Sequence, residues 1–247
     1  MGQTAKSVVS LFLTVGLCVS LLFVGKKHAT LLCEAIEISI KEEPGQSFIT
    51  PKEVMNCLAS TYKISLQKTP LKNIHTHAIQ HHLASHPFIK NVWVYKTWQG
   101  ILKICLETKY CIARIINRTE PNEVYLDEAG CLLEAKGLPL LRLLIITGQN
   151  IGIANNTLRD KGLLALLHFI YKHPFWKRQI TSLEVTAHGK IILGTQVGGH
   201  QITFGKAENI DEKFEKLWLF YTQVIPYKGW KAYHLVNVEF DNQLICE

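Results

Sequence analysis

Ile36, Ile38 and Ile40 interleave with Glu37, Ser39 and Lys41, a period-two alternation that predicts a half-buried strand. Glu43, Pro44 and Gly45 supply turn chemistry, and Thr50-Pro51-Lys52-Glu53 then opens a helix. Thr50 caps it, Pro51 suits the first helical position, and Glu53 closes a capping box. That helix carries Val54, Met55 and Leu58, and a second helix is predicted from Asn73 to Ser85. Val92 and Val94 then alternate with Asn91, Trp93 and Tyr95. Gln99-Gly100 turns the chain, and Leu102, Ile104 and Leu106 alternate with Lys103, Cys105 and Glu107. Strand, helix, helix, strand, strand is the order of a small α+β module.

The rest of the chain reads as a β-rich domain with two helices. Strands are predicted at 111–116, 124–127 and 141–147, then a helix over 158–171 capped by Thr157, with Asp160 three residues on. Strands at 181–187 and 190–195 flank His188-Gly189, and another covers 200–204. A helix from Asp211 sets Phe214, Leu217, Trp218 and Tyr221 at i, i+3, i+4 and i+7 on one apolar face. The last long strand carries Val236, Val238 and Phe240 on one side and Asn237, Glu239 and Asp241 on the other. Asp241-Asn242 turns the chain into a short closing strand, Gln243 to Cys246.

Residues 7–25 contain no charge. As a helix the run would be about 28 Å long, close to the ~30 Å hydrocarbon core of a bilayer. Lys6 precedes it and Lys26 and Lys27 follow, with no small-x-small cleavage site. The expectation is an uncleaved single span with 1–6 as a cytoplasmic tail. The flanking charges balance, so they do not orient it; the short head and the family resemblance of the later residues place the large carboxyl-terminal part outside the cytoplasm.

Composition narrows the class. The chain is 47% apolar and 19% charged, which excludes a disordered chain and a polytopic membrane protein. The net charge of +7 is modest for this length, and no run of basic residues with interleaved aromatics stands out, so nucleic acid is not expected as a partner. The 7 cysteines include no C-x-x-C pair, which fits neither a zinc framework nor a disulfide-dense module.

Catalytic signatures are missing: there is no P-loop, no G-x-G-x-x-G and no G-x-S-x-G. His75, His77, His81, His82 and His86 crowd one helix at spacings that suit a metal. A 100° step per residue, however, sets His82 and His86 beside the buried Ile79–Leu83 face and His77 and His81 opposite. Asp127, Glu128 and Glu134 surround Gly130 and read as turn residues. Neither group supports an assigned metal, cofactor or catalytic dyad.

The run His86-Pro87-Phe88-Ile89-Lys90-Asn91-Val92-Trp93-Val94-Tyr95-Lys96 resembles the end of a POTRA (polypeptide-transport-associated) domain. Gly100-Ile101-Leu102-Lys103-Ile104 and Tyr110-Cys111-Ile112-Ala113-Arg114-Ile115 resemble the FtsQ/DivIB family of cell-division proteins. So do Val124 to Gly130, Lys213 to Leu217 with Phe220-Tyr221, and the ending Val236 to Gln243. The chain departs at Trp98-Gln99, where the family often has proline after tryptophan, and at Lys109-Tyr110-Cys111, where it often has Arg-x-Pro.

The resemblance implies a transmembrane helix at 7–25, a POTRA domain at 33–109 and an FtsQ-type β domain at 110–247. It also implies a non-catalytic scaffold of the cytoplasmic (inner) membrane at the division septum, single-pass, with its large part periplasmic. Such a scaffold binds FtsB/FtsL-type partners, helps recruit septal peptidoglycan synthesis and meets other septal proteins through its POTRA domain. The partner adds along an edge strand, here Phe240, Asn242, Gln243, Leu244 and Ile245. The competing readings are an anchored extracytoplasmic hydrolase or metal-binding protein, and a POTRA-type chaperone of protein transport. The latter usually carries several POTRA copies or a membrane β-barrel, and this chain reads as one copy and no barrel.

Overall fold

The computed structural model describes residues 13–16, 31–62, 67–116, 123–134, 141–148 and 151–247. The predicted span at 7–25 lies outside them, except for 13–16, which are helical; among the described residues no helix is long and apolar enough to cross a membrane. The chain divides into two compact units, residues 1–43 with 47–108 and residues 44–46 with 109–247.

In the first unit, β1 (Ala35–Lys41), α1 (Pro51–Tyr62), α2 (Thr76–Ala84), β2 (Ile89–Lys96) and β3 (Ile101–Thr108) follow the predicted order. The sheet order is β1-β3-β2, with β1 parallel to β3 and β2 antiparallel to it. A parallel neighbour requires a crossover, which the two helices supply. Leu102, Ile104 and Leu106 of the central strand are sealed against Val54 and Leu58 of α1 and Ile79 and Leu83 of α2. The capping box forms: the Thr50 hydroxyl accepts from the Glu53 N–H at 3.2 Å, and the Glu53 carboxylate accepts from the Thr50 N–H at 2.7 Å. These bonds hold the Glu53 carboxyl below its ordinary pKa. The second helix starts later than expected. Leu71–Asn73 makes a separate 3-10 turn, and Ile74 takes an extended conformation that buries its side chain.

The second unit is built on a nine-stranded sheet. Its first four strands are β4 (Cys111–Ile116), β5 (Glu123–Asp127), β6 (Leu132–Glu134) and β7 (Leu144–Gly148). A separate hairpin then pairs β8 (Ile153–Ala154) with β9 (Thr157–Leu158). The sheet resumes with β10 (Ile180–Val185), β11 (Ile191–Thr195), β12 (Gln201–Gly205), β13 (Leu235–Asn237) and β14 (Ile245–Cys246). The helices are α3 (Lys161–Lys172), α4 (Trp176–Gln179), α5 (Ile210–Leu219) and α6 (Ile225–Lys228), with a π turn at Phe220–Val224 joining the last two. Across the sheet the order is β14-β13-β12-β11-β10-β7-β4-β5-β6.

One face of that sheet is dry. Ile146, Leu183, Leu193, Ile202 and Val236 pack with Leu163, Leu166, Leu167 and Ile170 of α3 and with Phe214 and Leu217 of α5. Residues 44–46 go with this unit because the Gln46 amide exchanges two hydrogen bonds with the Cys111 backbone, at 2.7 and 2.8 Å.

Three local expectations need correction. The α3 cap is Asp160, whose carboxylate accepts from the Leu163 N–H at 3.0 Å; Thr157 is committed to β9, behind a turn at Asn155 and Asn156 with positive φ. Of the apolar face expected after Asp211, Phe214 and Leu217 on α5 and Tyr221 in the π turn are buried, but Trp218 stays 45% exposed at the border of the face. The strand expected through Phe240 ends at Asn237: Val236 and Val238 are buried as predicted, whereas Phe240 turns outward, 50% exposed.

Candidate functional site: an open sheet edge

The early end of β13 follows from who takes its carbonyls. Lys216 on α5 sends its ammonium to the Phe240 carbonyl at 2.7 Å and the Val238 carbonyl at 3.3 Å. Glu239 pairs with Lys190 at 2.8 Å, and its N–H donates to the Asn237 side chain at 2.9 Å. The chain is thereby pinned across 238–240 instead of running on as strand. Gly205 makes room for it: φ is +76°, and a Cβ there would stand 2.7 Å from the Glu239 side chain. Next to this clamp, Lys213 is buried and donates to the Phe204 and Lys206 carbonyls at 3.0 and 2.9 Å. Burial pushes its pKa down.

After the clamp Asp241 and Asn242 reverse the chain, Asn242 with φ +54°. The return strand β14 runs antiparallel to β13, Cys246 opposite Val236 and Ile245 opposite Asn237. Leu235 and Glu247 exchange both N–H···O bonds, each at 2.9 Å. In an antiparallel ladder such pairs alternate with non-bonded ones, so Cys246 and Leu244 aim their N–H and C=O away from β13. β14 is the end of the strand order, and among the described residues nothing pairs with that outer side. The opposite end is covered: next to β6, the Leu132 N–H donates to the Asn156 carbonyl of the β8–β9 hairpin at 2.9 Å.

The residues expected at the edge thus fall into three positions. Ile245 lies in β14, 39% exposed, and Leu244 just before it packs partly against the core. Asn242 and Gln243 are exposed in the turn, and Phe240 is exposed beyond the clamp. Sequence reasoning missed Cys246, which alternates inward beside Leu244 and whose thiol pKa burial raises. It also missed the lysines, since lysine on a helix carries no sign that its ammonium will cap a distant carbonyl.

A second missed group supports the approach to β13. His200 is buried, with one ring nitrogen 3.0 Å from the Trp230 carbonyl and the other 3.1 Å from the Tyr221 hydroxyl. A carbonyl only accepts, so Nε2 carries the proton and Nδ1 accepts from Tyr221. Burial pushes the His200 pKa down. Gly198 is needed here, because at φ +85° a Cβ would strike the imidazole.

The other sequence candidates lie within their own units. His77 and His81 are exposed and His82 half-buried, matching the helical geometry, whereas His86 lies past the end of α2, half-buried in the turn that follows; among the described residues no group of three His, Cys, Asp or Glu is placed to hold a metal ion. Asp127 is buried as a turn acceptor, its Oδ1 taking the N–H of Ala129 at 2.9 Å and of Cys131 at 2.7 Å. In the first unit, β2 forms an edge and exposes Trp93 and Tyr95.

A family model described as FtsQ/DivIB, C-terminal related, matches residues 111–247, more than half of the chain, and one described as POTRA-like domain matches residues 31–107. No curated protein matches the chain.

Proposed function

From the premise that the chain belongs to the FtsQ/DivIB family, we propose that it is a non-catalytic, membrane-anchored division scaffold that captures an extended segment of an FtsB/FtsL-type partner along β14. The observation that carries this reading is the outward-facing backbone of Leu244 and Cys246 at a sheet end that nothing covers among the described residues. Exposed strand edges recruit strands, and each added N–H···O bond pairs a group otherwise left to water. Ile245, Phe240, Asn242 and Gln243 give the added strand side chains to read. The clamp by Lys216 and Lys190 fixes the turn that presents them. The edge at β2, with Trp93 and Tyr95, is the surface offered to other septal proteins, and recruitment of septal peptidoglycan synthesis follows from assembly rather than from chemistry on this chain.

Leu244→Pro tests the edge. Proline removes the outward N–H and its ring obstructs an incoming strand, while no native ladder bond is lost. The expected outcome is loss of partner in pull-downs with an unchanged circular dichroism spectrum and unchanged membrane fractionation. Undiminished capture by the folded variant would discard β14 as the docking edge. Fluorescent fusions of the full chain are expected at midcell in dividing cells; uniform envelope staining counts against the division role.

A further inference from the structure

Contrary to the expectation from composition, basic and aromatic residues interleave at 171–178 (YKHPFWKR) and 227–233 (YKGWKAY), both in the second unit. Residues 161–183 and 216–238 contain no Asp or Glu. The two segments meet through aromatic rings: Trp218 stands edge-on to Phe175 at 5.4 Å, Phe175 to Tyr221 at 5.9 Å, and Tyr221 lies 5.8 Å from Trp230. The inner rings, Trp176 and Tyr221, are buried, while the outer ones reach water, Trp230 42% and Tyr227 on α6 87% exposed. Exposed cations occur in the same segments: Lys177 and Arg178 on α4, the Lys177 ammonium lying over the Tyr171 ring at 3.7 Å, and Lys228 and Lys231 next to Tyr227 and Trp230 in the chain.

We infer that this surface rests on an anionic lipid bilayer, with the Trp218, Tyr227 and Trp230 rings at headgroup level and the cations against lipid phosphates. Tryptophan and tyrosine, apolar in body and polar at the tip, favour the membrane–water interface, and lysine and arginine beside them add attraction to acidic headgroups. Within both segments no carboxylate opposes such contact; the exposed Glu215, one turn before Trp218 on α5, lies just outside them. A single-stranded nucleic acid needs open ring faces for stacking, whereas Trp230 lies stacked on His200 at 6.2 Å and 20°. The patch is also held firm: the Trp230 carbonyl is bonded to His200, so the exposed ring is pre-placed rather than mobile. The inference uses no residue of β14 and stands or falls separately from partner capture.

The test uses the full chain in nanodiscs of phosphatidylcholine alone, or with about 30% phosphatidylglycerol, each carrying brominated acyl chains that quench tryptophan. Quenching is expected to be stronger in the anionic discs and to fall with added salt. It should weaken in Trp230→Phe and drop in the triple variant Lys177→Glu, Lys228→Glu, Lys231→Glu. At about fivefold in partitioning per cation, the triple variant loses on the order of a hundredfold. Near-UV circular dichroism checks that the variants are folded, and the salt series on the unaltered chain needs no variant. Equal quenching in both lipids, or an unchanged triple variant, overturns the inference. So does capture of soluble polyglutamate by the patch without any lipid effect, which would assign it to an acidic polypeptide.

Discussion

His200 shows what one buried side chain imposes. Its folded pKa lies below the ordinary value because burial disfavours the imidazolium, and the same cause lowers that of His86. The unfolded chain therefore binds more protons below about pH 6.5, the ordinary histidine value. The stability these residues contribute is fully present above that pH and is lost as pH falls through it toward the depressed folded values. Urea midpoints are expected to decrease from pH 7.5 to 5.5, with a shallower decrease in His200→Gln, which keeps a donor and an acceptor. A His200→Gln variant with the same slope would place the titration elsewhere. None of this was readable from the sequence, where His200 follows two glycines and shares no pattern with Tyr221 or Trp230. Asp127 was readable, because Asp beside Gly130 between two strands is a turn signature, and its carboxylate does accept turn amides.

At the level of elements, pattern and cap carry different amounts of information. The buried stripe of α3, Leu163, Leu166, Leu167 and Ile170, stands in the sequence as i, i+3, i+4 and i+7. Its starting residue was not legible there, because Thr157 and Asp160 are both good caps and the choice between them depends on β9 pairing with β8. Asp160→Ala removes the bond to the Leu163 N–H and is expected to cost about 1 kcal/mol, read as a shift in the urea midpoint at unchanged slope. Thr157→Ala, which removes no cap, is expected to cost less. If the two costs are reversed, the assignment of the cap is wrong. The end of β13 makes the same point from the other side. Alternation predicts Val236, Val238 and Phe240 facing one way, but alternation cannot register a lysine on α5 that withdraws the carbonyls of Val238 and Phe240 from the ladder.

Over the whole molecule, most of the buried apolar side chains among the described residues fall into two clusters, one in each compact unit. Separate cores have their own opening free energies. Native-state hydrogen exchange is expected to sort the slow amides into two sets, those of β3 in one and those of β11 in the other, with different urea dependences. A single shared dependence would mean that the two cores open together. The sequence by itself determined the order and kind of the elements and the strand–helix–helix–strand–strand module. It also set the residues of each apolar face, because periods of 2 and 3.6 are written by neighbours close along the chain. The tertiary structure decided which strands became neighbours, β7 beside β10 and β12 beside β13, and, among the described residues, which strands ended each sheet. Those outcomes depend on hydrogen bonds and side chains that meet across long stretches of chain, and no local pattern encodes them.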